Sequence, residues 1–206
     1  KLKEENYSVE CGRPKNEKLT NPRELISRLG EYAAYSGLSQ NDLIITTDVG
    51  QHQMWAAQYY PVDRPRSFLT SGSLGTMGFG LPAAIGAAIA NPGKRVICIS
   101  GDGSIMMNIQ ELATLKELDL PVTVIVFQNG TLGMVYQQQK YLFEKNYSAS
   151  VFAKNPDLLA IAAGFGIETV DADTDPEWYK KAFDSKGSSK PRFVRCSVDS
   201  EENVLP

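Results

Sequence analysis

Short apolar runs alternate with longer segments of mixed polarity along most of this chain. The strongest runs are almost continuous in apolar or β-branched residues, as is typical of strands buried on both faces, and they lie at 43–47, 95–100 and 122–128. Weaker runs predict further strands at 67–69, 167–170 and 193–198. The intervening segments predict helices at 51–59, 78–90, 108–118, 131–142, 156–163 and 176–185.

This alternation predicts an α/β fold: a doubly wound, mostly parallel sheet with helices on both faces. A first helix is predicted to begin at Pro22, because Asn21 can cap it and Glu24 suits its first turn. Ligands of such sheets bind beyond the carboxyl ends of the strands. The polar residues that follow predicted strands are therefore the candidates for a site, and they are Asp48, Thr70, Asp102 and Asn129.

Residues 1–20 differ from the rest of the chain. They are polar and charged, contain Gly12 and Pro14, and begin with Lys1, so we expect a linker that joins a missing upstream domain in a longer protein. Residues 21–206 are then expected to form one domain.

Composition narrows the function classes. The chain has 206 residues, of which 42% are hydrophobic and 22% charged, which is enough for one sizeable core. A formal charge of −3 without a basic run argues against nucleic acid and anionic membranes as partners. The weakly apolar stretch Leu81–Ala90 is too short for a membrane span, which needs about 20 residues.

Cysteine and histidine usage excludes two further classes. Cys11, Cys98 and Cys196 show no CxxC spacing, so neither a disulfide framework nor a zinc site is indicated, and a reducing compartment is favoured. His52 is the single histidine and no Gly-x-Ser-x-Gly motif accompanies it, which argues against a hydrolase triad.

One segment predicts a magnesium diphosphate site. Gly101-Asp102-Gly103-Ser104 directly follows the predicted strand 95–100, and Asn129 directly follows the predicted strand 122–128. Mg²⁺ takes about six oxygens and usually draws only a few from protein, the rest coming from phosphate and water. A lone Gly-Asp-Gly is often just a turn. Its pairing with Asn129 favours metal binding, with a loop carbonyl as a third ligand.

These residues carry a family resemblance. The Gly-Asp-Gly motif with Asn129 resembles the metal-binding motif of thiamine diphosphate enzymes. Three further blocks, at 49–55, 75–86 and 132–135, are in order and spacing similar to the C-terminal domain of acetohydroxy acid synthase (acetolactate synthase) catalytic subunits. The resemblance covers roughly residues 21 to 200.

The resemblance implies the thiamine diphosphate-binding fold and a cofactor held through Mg²⁺. It makes Asp102, Asn129 and the carbonyl of Thr131 the metal ligands. The residues that it implies as cofactor contacts are Val49, Gly50, Gln51, His52, Gly75, Met77, Gly101, Gly103, Ser104, Gly133, Met134 and Val135.

Two of these residues would act in catalysis by activating the cofactor. By resemblance the Gly75 carbonyl accepts a hydrogen bond from the cofactor's 4′-amino group, and the Met77 side chain props the cofactor into a bent shape. A glutamate that completes the activation would come from an N-terminal domain outside this chain, so the isolated fragment is expected to be inactive. Other interpretations are a tight packing loop at Gly75, core filling by Met77 and a surface position for His52.

The reaction implied is decarboxylation of pyruvate and condensation with a second 2-oxo acid, pyruvate or 2-oxobutyrate, in branched-chain amino acid synthesis. The family implies a homodimer or tetramer formed with the rest of the catalytic subunit, a possible regulatory subunit, possible FAD in the full-length enzyme, and the cytoplasm or an organelle stroma or matrix. The acceptor stays open, because Gln138 stands where the family commonly has Trp. Two alternatives remain: another thiamine diphosphate carboligase, decarboxylase or oxidase, or a non-catalytic phosphate-binding α/β module.

Overall fold

The computed structural model describes residues 19–183 and 190–204. Six parallel strands form one sheet in the order β2-β1-β3-β4-β6-β5. This confirms the α/β class predicted from the sequence. The strands are β1 (Leu43–Thr47), β2 (Phe68–Leu69), β3 (Arg95–Gly101), β4 (Val122–Gln128), β5 (Glu168–Asp171) and β6 (Arg192–Ser197).

Helices and two short 3₁₀ turns, Gln40–Asp42 and Ile109–Glu111, accompany the strands among the described residues. Asn21 caps the first helix, its Oδ1 accepting from the amides of Arg23 and Glu24, as predicted. The described helices are α1 (Pro22–Ser27), α2 (Leu29–Ala34), α3 (Gln51–Tyr59), α4 (Gly80–Ala90), α5 (Asp102–Ile105), α6 (Leu112–Glu117), α7 (Gly133–Leu142), α8 (Leu158–Gly164) and α9 (Trp178–Ala182). Across these residues, no helix combines the length and the apolar character that a membrane crossing requires.

Predicted and observed elements differ mainly at their ends. The helix predicted at 108–118 is the exception, because it is broken into pieces. α5 begins at Asp102 itself, Met106–Asn108 form a turn, and a 3₁₀ turn at 109–111 leads into α6. The break coincides with a contact to a distant segment, because Asn108 Nδ2 donates to the carbonyl of Gly78.

Some expectations lie outside the described residues. The predicted linker falls there except for its last two residues, together with Cys11 and the end of the helix predicted at 176–185. Cys98 and Cys196 are buried and carry free thiols.

Side chains on the two faces of the sheet pack into two separate cores. Along β3, Ile97 and Ile99 face one core, whereas Val96 and Cys98 face the other. This alternation is the period-2 pattern of a strand with a helix layer on each side. Helices α1, α2, α3 and α9 cover the first face, and α4, α5, α6 and α8 cover the second.

The strand order creates a crevice at the edge of the sheet formed by the carboxyl ends of its strands. From β1 the chain moves outward to β2 and then crosses back to β3 on the other side of β1. Connections leaving neighbouring strands in opposite directions open a gap beyond their carboxyl ends, where doubly wound folds bind ligands. The carboxyl ends of β1, β3 and β4 meet at this edge.

The buried centre of the sheet should dominate stability. Ile125 of β4 is 0% exposed and pairs with Ile99 and Val194, so Ile125→Ala should lower the free energy of unfolding by about 2–5 kcal/mol. Ile89 of α4 is 57% exposed, and Ile89→Ala should cost well under about 1 kcal/mol. Urea denaturation of both variants tests this, and equal losses would contradict the assigned core.

Candidate functional site

A cavity of about 350 Å³ opens at the carboxyl edge of the sheet. Its volume lies in the range of small-molecule and cofactor sites. Every residue named from the sequence as a metal ligand or cofactor contact lines it. The described residues that also line it, and that sequence reasoning did not name, are Gln53, Met54, Trp55, Phe127, Leu132 and Val198.

The Asp102 carboxylate joins the ends of β3 and β4. Its Oδ1 accepts a hydrogen bond from the amide of Gly103 at 2.9 Å, and its Oδ2 accepts one from the amide of Gly130 at 2.8 Å. The register of the two strands pairs Gly101 with Phe127, so the residues that follow them are neighbours. The two loops predicted to share one cation therefore touch.

Asn129 and Thr131 form the facing loop. Asn129 Oδ1 accepts from both the amide and the hydroxyl of Thr131 at 3.0 Å, and Asn129 Nδ2 donates to Gln51 Oε1 at 3.3 Å. These contacts fix which end of the amide is oxygen. Asn129 thus presents its oxygen on the Thr131 side and its nitrogen towards α3.

The electrostatics of this corner favour a bound cation. Asp102 is 5% exposed, and burial raises its pKa to about 6, against the lowering effect of the Gly130 and Gly103 amides. A divalent cation would offset the cost of that buried charge. Among residues 19–183 and 190–204 no three His, Cys, Asp or Glu side chains cluster as a metal cage. One carboxylate with amide and carbonyl oxygens suits Mg²⁺ that takes its remaining ligands from phosphate.

His52 is a buried neutral base on the cavity wall. Burial lowers its pKa to about 3, which a hydrogen bond with the Asp48 backbone partly opposes. Its Nε2 is buried without a hydrogen-bond partner. A buried polar atom left unpaired costs stability. With Nδ1–H bonded to the Asp48 backbone, neutral His52 presents Nε2 as a hydrogen-bond acceptor. A phosphate oxygen can pair with this nitrogen only after the ring gains a proton or changes its tautomer.

Gln51 lies beside His52 but has other partners. Its Nε2 donates to Gln137 Oε1 at 3.0 Å and to the Glu202 carbonyl at 2.8 Å. Both of its donor positions are thus used within the protein. The resemblance implies Gln51 as a cofactor contact. Donation from its side chain to a cofactor would require an exchange of these partners, so this contact stays a prediction.

Residues 75–80, called here the 75–80 turn, contribute to another part of the cavity wall. Gly75 and Met77 line the cavity, and the amide of Thr76 donates to Ser71 Oγ at 2.9 Å. That amide shares a planar peptide group with the Gly75 carbonyl, so Ser71 sets the direction in which the carbonyl points. The structure brings this turn to the same cavity as the predicted metal ligands Asp102, Asn129 and Thr131, called here the metal corner. This is expected if both serve one ligand.

The 75–80 turn is held by Asp48, which the sequence predicted as a site candidate, and by Asn108, which it did not assign to the site. Asp48 Oδ1 accepts from the amide of Gly78 at 2.8 Å, and Asn108 Nδ2 donates to the Gly78 carbonyl at 2.8 Å. Burial raises the pKa of Asp48, against hydrogen bonds from backbone amides and from Ser100. Asp48 follows β1 as Asp102 follows β3, which is the sequence signal that made both residues candidates. The role of Asn108 depends on its contact with Gly78, which lies 30 positions earlier in the chain, so no local sequence pattern predicts it.

Taken together, the residues fit thiamine diphosphate with Mg²⁺. The metal corner supplies oxygens, His52 supplies an unpaired buried nitrogen, and the walls between them are largely apolar. Met134 and Val135 lie in the first turn of α7, with Val135 41% exposed, so they can cover an occupant.

Comparison with known proteins agrees with this geometry. Residues 48–196 match the family model described as thiamine pyrophosphate enzyme, C-terminal TPP binding domain, TPP being another name for thiamine diphosphate. The matched region contains every predicted site residue.

The curated relatives confirm the resemblance seen in the motifs. The chain is 48% identical over 181 residues to acetolactate synthase isozyme 1 large subunit of Escherichia coli, covering 88% of this chain and 32% of that protein. It is 49% identical over 166 residues to isozyme 2 of the same organism, covering 80% and 30%. It is 47% identical over 180 residues to acetolactate synthase 2, chloroplastic, of Zea mays, covering 82% and 28%. The chain thus spans about a third of the length of these relatives.

A glycine pair tests how tightly α7 packs on α3. A Cβ built on Gly133 would lie 2.1 Å from Gln51 Oε1, so Gly133→Ala must displace Gln51 and should cost about 1–3 kcal/mol of stability. Gly86 in α4 has nothing within 4 Å of such a Cβ, so Gly86→Ala should be neutral or stabilise by up to about 1 kcal/mol. Thermal denaturation distinguishes the two, and an unchanged Gly133→Ala protein would contradict the close contact.

Proposed function

We propose that this chain, which belongs to the thiamine pyrophosphate enzymes as their C-terminal TPP-binding domain, is the cofactor-binding domain of an acetolactate synthase catalytic subunit. The observation that carries the proposal is that one cavity gathers Asp102, Asn129, Gly75 and Met77 from three separate segments: the start of α5, the loop after β4 and the 75–80 turn. A generic phosphate-binding module has no need for Gly75 and Met77.

Each part of the cavity has a separate task. Asp102, Asn129 and the Thr131 carbonyl would hold Mg²⁺ and through it the diphosphate of the cofactor. After a change of tautomer or the gain of a proton, His52 would donate from Nε2 to a phosphate oxygen, and the backbone of Val49, Gly50, Gly101 and Gly103, with Ser104, would line the path of the diphosphate. When bound, thiamine diphosphate supplies the carbanion chemistry that decarboxylation of a 2-oxo acid needs.

The 75–80 turn would orient the reactive end of the cofactor. The Gly75 carbonyl would accept a hydrogen bond from the cofactor's amino group, and the Met77 side chain would support its bent shape. These are contributions of position rather than of proton transfer by the protein. They explain how a cavity with little charge of its own can serve this chemistry.

The substrates we propose are pyruvate and a second 2-oxo acid, in branched-chain amino acid synthesis. Gln138 lies exposed on α7, where the family commonly has Trp, so the choice between pyruvate and 2-oxobutyrate as acceptor is left open. We further propose a dimer or tetramer with the rest of the catalytic subunit, a regulatory subunit, and FAD bound mainly outside this chain. Relatives from bacteria and from a chloroplast support the cytoplasm or an organelle stroma as its location.

Cofactor binding gives the direct test. Thiamine diphosphate should bind in a Mg²⁺-dependent manner, and Asp102→Ala should weaken binding about 100-fold or more, because the metal loses its one charged protein ligand. Asp157→Ala removes the carboxylate that caps α8 and should cost about 1 kcal/mol of stability without changing affinity. Titration calorimetry with Mg²⁺-thiamine diphosphate, and with Mg²⁺-ADP for comparison, measures this. Stronger binding of ADP would favour a nucleotide-binding module.

Turnover should require more than these residues. Among the described residues that line the cavity, Asp102 is the only carboxylate, and metal binding would occupy it. We therefore expect residues 1–206 alone to form no acetolactate from pyruvate, and the full-length enzyme to form it readily. Product analysis of both proteins decides. Acetolactate from the fragment would show that it needs no further acid, and another product from the full-length enzyme would indicate a different thiamine diphosphate enzyme.

A further inference from the structure

We propose that Asp48 is a positioning residue for the 75–80 turn: its carboxylate fixes the turn against the end of β3, while Asn108 holds the same turn from the other side. The inference rests on the proposed function, because it matters for the reaction only if Gly75 and Met77 orient thiamine diphosphate. Asp48 itself does not line the cavity, so its effect on the cofactor is through the backbone.

A carboxylate at the buried position of Asp48 needs a structural explanation. It is 0% exposed, at the carboxyl end of β1. Its Oδ1 accepts from the amides of Val49 and Gly78, both at 2.8 Å, and its Oδ2 accepts from Ser100 Oγ at 3.4 Å. These donors are backbone amides and a hydroxyl. The buried charge is thus stabilised by dipoles, two of which belong to segments that line the cavity.

Both peptide groups of Gly78 form hydrogen bonds with side chains. Its amide donates to Asp48, and its carbonyl accepts from Asn108 Nδ2 at 2.8 Å. Its φ of +90° favours glycine, and a Cβ there would lie 2.7 Å from Asn108 Nδ2. Gly80, two residues later, packs so closely on β1 that a Cβ would lie 2.8 Å from the Asp48 amide nitrogen. The second half of the turn, residues 78–80, is thus fixed in position.

This constraint reaches the residue that faces the cofactor. The Gly78 amide shares one planar peptide group with the Met77 carbonyl, so the bond to Asp48 fixes how that plane is rotated. That rotation helps to set the path of the backbone at Met77, and therefore where its side chain points in the cavity. A displacement of about 1 Å at a reacting centre can cost about 100-fold in rate.

Asp48 also connects the turn to the metal corner. Ser100 Oγ, which donates to Asp48, lies 3.2 Å from Ser104 Oγ, and Ser104 Oγ accepts from the amide of Gly101 at 3.1 Å. A continuous set of buried hydrogen bonds therefore runs from Gly78 to the loop of Asp102. It sets the spacing between the two walls that would hold the two ends of one cofactor.

The test uses the full-length enzyme with Asp48→Asn, Asn108→Ala and Asp42→Asn. Asp48→Asn keeps the shape but turns an acceptor into a donor that faces other donors. Asp42→Asn is the matched control: it lies just before β1, where its carboxylate accepts from the amide of Ser39 at 2.9 Å and from its hydroxyl at 2.6 Å. Three quantities are measured: the Kd for thiamine diphosphate in excess Mg²⁺, the hydrogen–deuterium exchange rate at C2 of the bound cofactor, and kcat.

A positioning role predicts a split between affinity and activation. In Asp48→Asn, C2 exchange and kcat should fall about 10- to 100-fold, whereas Kd should change less than about 3-fold, since the metal corner is intact. Asn108→Ala should show the same split more weakly, and Asp42→Asn should match the wild type. If Asp48→Asn does not fold, Asn108→Ala decides, because Asn108 is half-buried and contacts the turn directly.

The two proposals fail in different ways. Wild-type C2 exchange in the folded Asp48 and Asn108 variants, or a loss of affinity as large as the loss of exchange, would overturn the positioning role. Failure of the wild-type enzyme to bind thiamine diphosphate, or unchanged binding by Asp102→Ala, would instead overturn the proposed function.

Discussion

The hydrogen bond from the Gly130 amide to the Asp102 carboxylate is the contact on which the site depends. It ties the loop after β3 to the loop after β4 and brings Asn129 and Thr131 beside the carboxylate. Parallel pairing makes this possible, because the register of Gly101 with Phe127 ends both strands at the same height. A one-residue slip would turn Ile99 and Ile125 away from their core, so the packing that stabilises the sheet also fixes the site.

Burial gives the corner its chemistry. Away from water, the Asp102 carboxylate is costly to ionise, and its pKa of about 6 reflects that cost. The same desolvation leaves His52 neutral, with an unpaired Nε2. Both groups are thus poorly satisfied by the protein itself. A divalent cation beside Asp102 would offset the cost of its buried charge, which is a physical reason for preferring an occupant that carries a metal ion to a neutral one.

Strand positions and the candidate site could largely be predicted from the sequence, because both depend on local patterns. Apolar runs located β3 and β4 almost to the residue, and the Gly-Asp-Gly motif identified Asp102, which lines the cavity and whose role as a metal ligand stays a prediction. The break between α5 and α6 was missed, since it depends on the bond from Asn108 to Gly78, a contact between distant segments. The partners of Gln51, which are Gln137 and Glu202, likewise come from later parts of the chain, and its contact with a cofactor stays a prediction.

Asp48 and Asp102 show how equivalent positions can acquire different roles. Each is a buried carboxylate directly after a strand, on neighbouring strands that pair in register. The carboxylate oxygens of Asp48 accept hydrogen bonds from Val49, Gly78 and Ser100, and Asp48 does not line the cavity. Asp102 accepts from two amides and faces the cavity, and since a carboxylate offers about four acceptor sites, it keeps capacity for a cation. The 75–80 turn makes this difference, because it covers the carboxyl end of β1, where Asp48 lies, and leaves the carboxyl end of β3 open to the cavity.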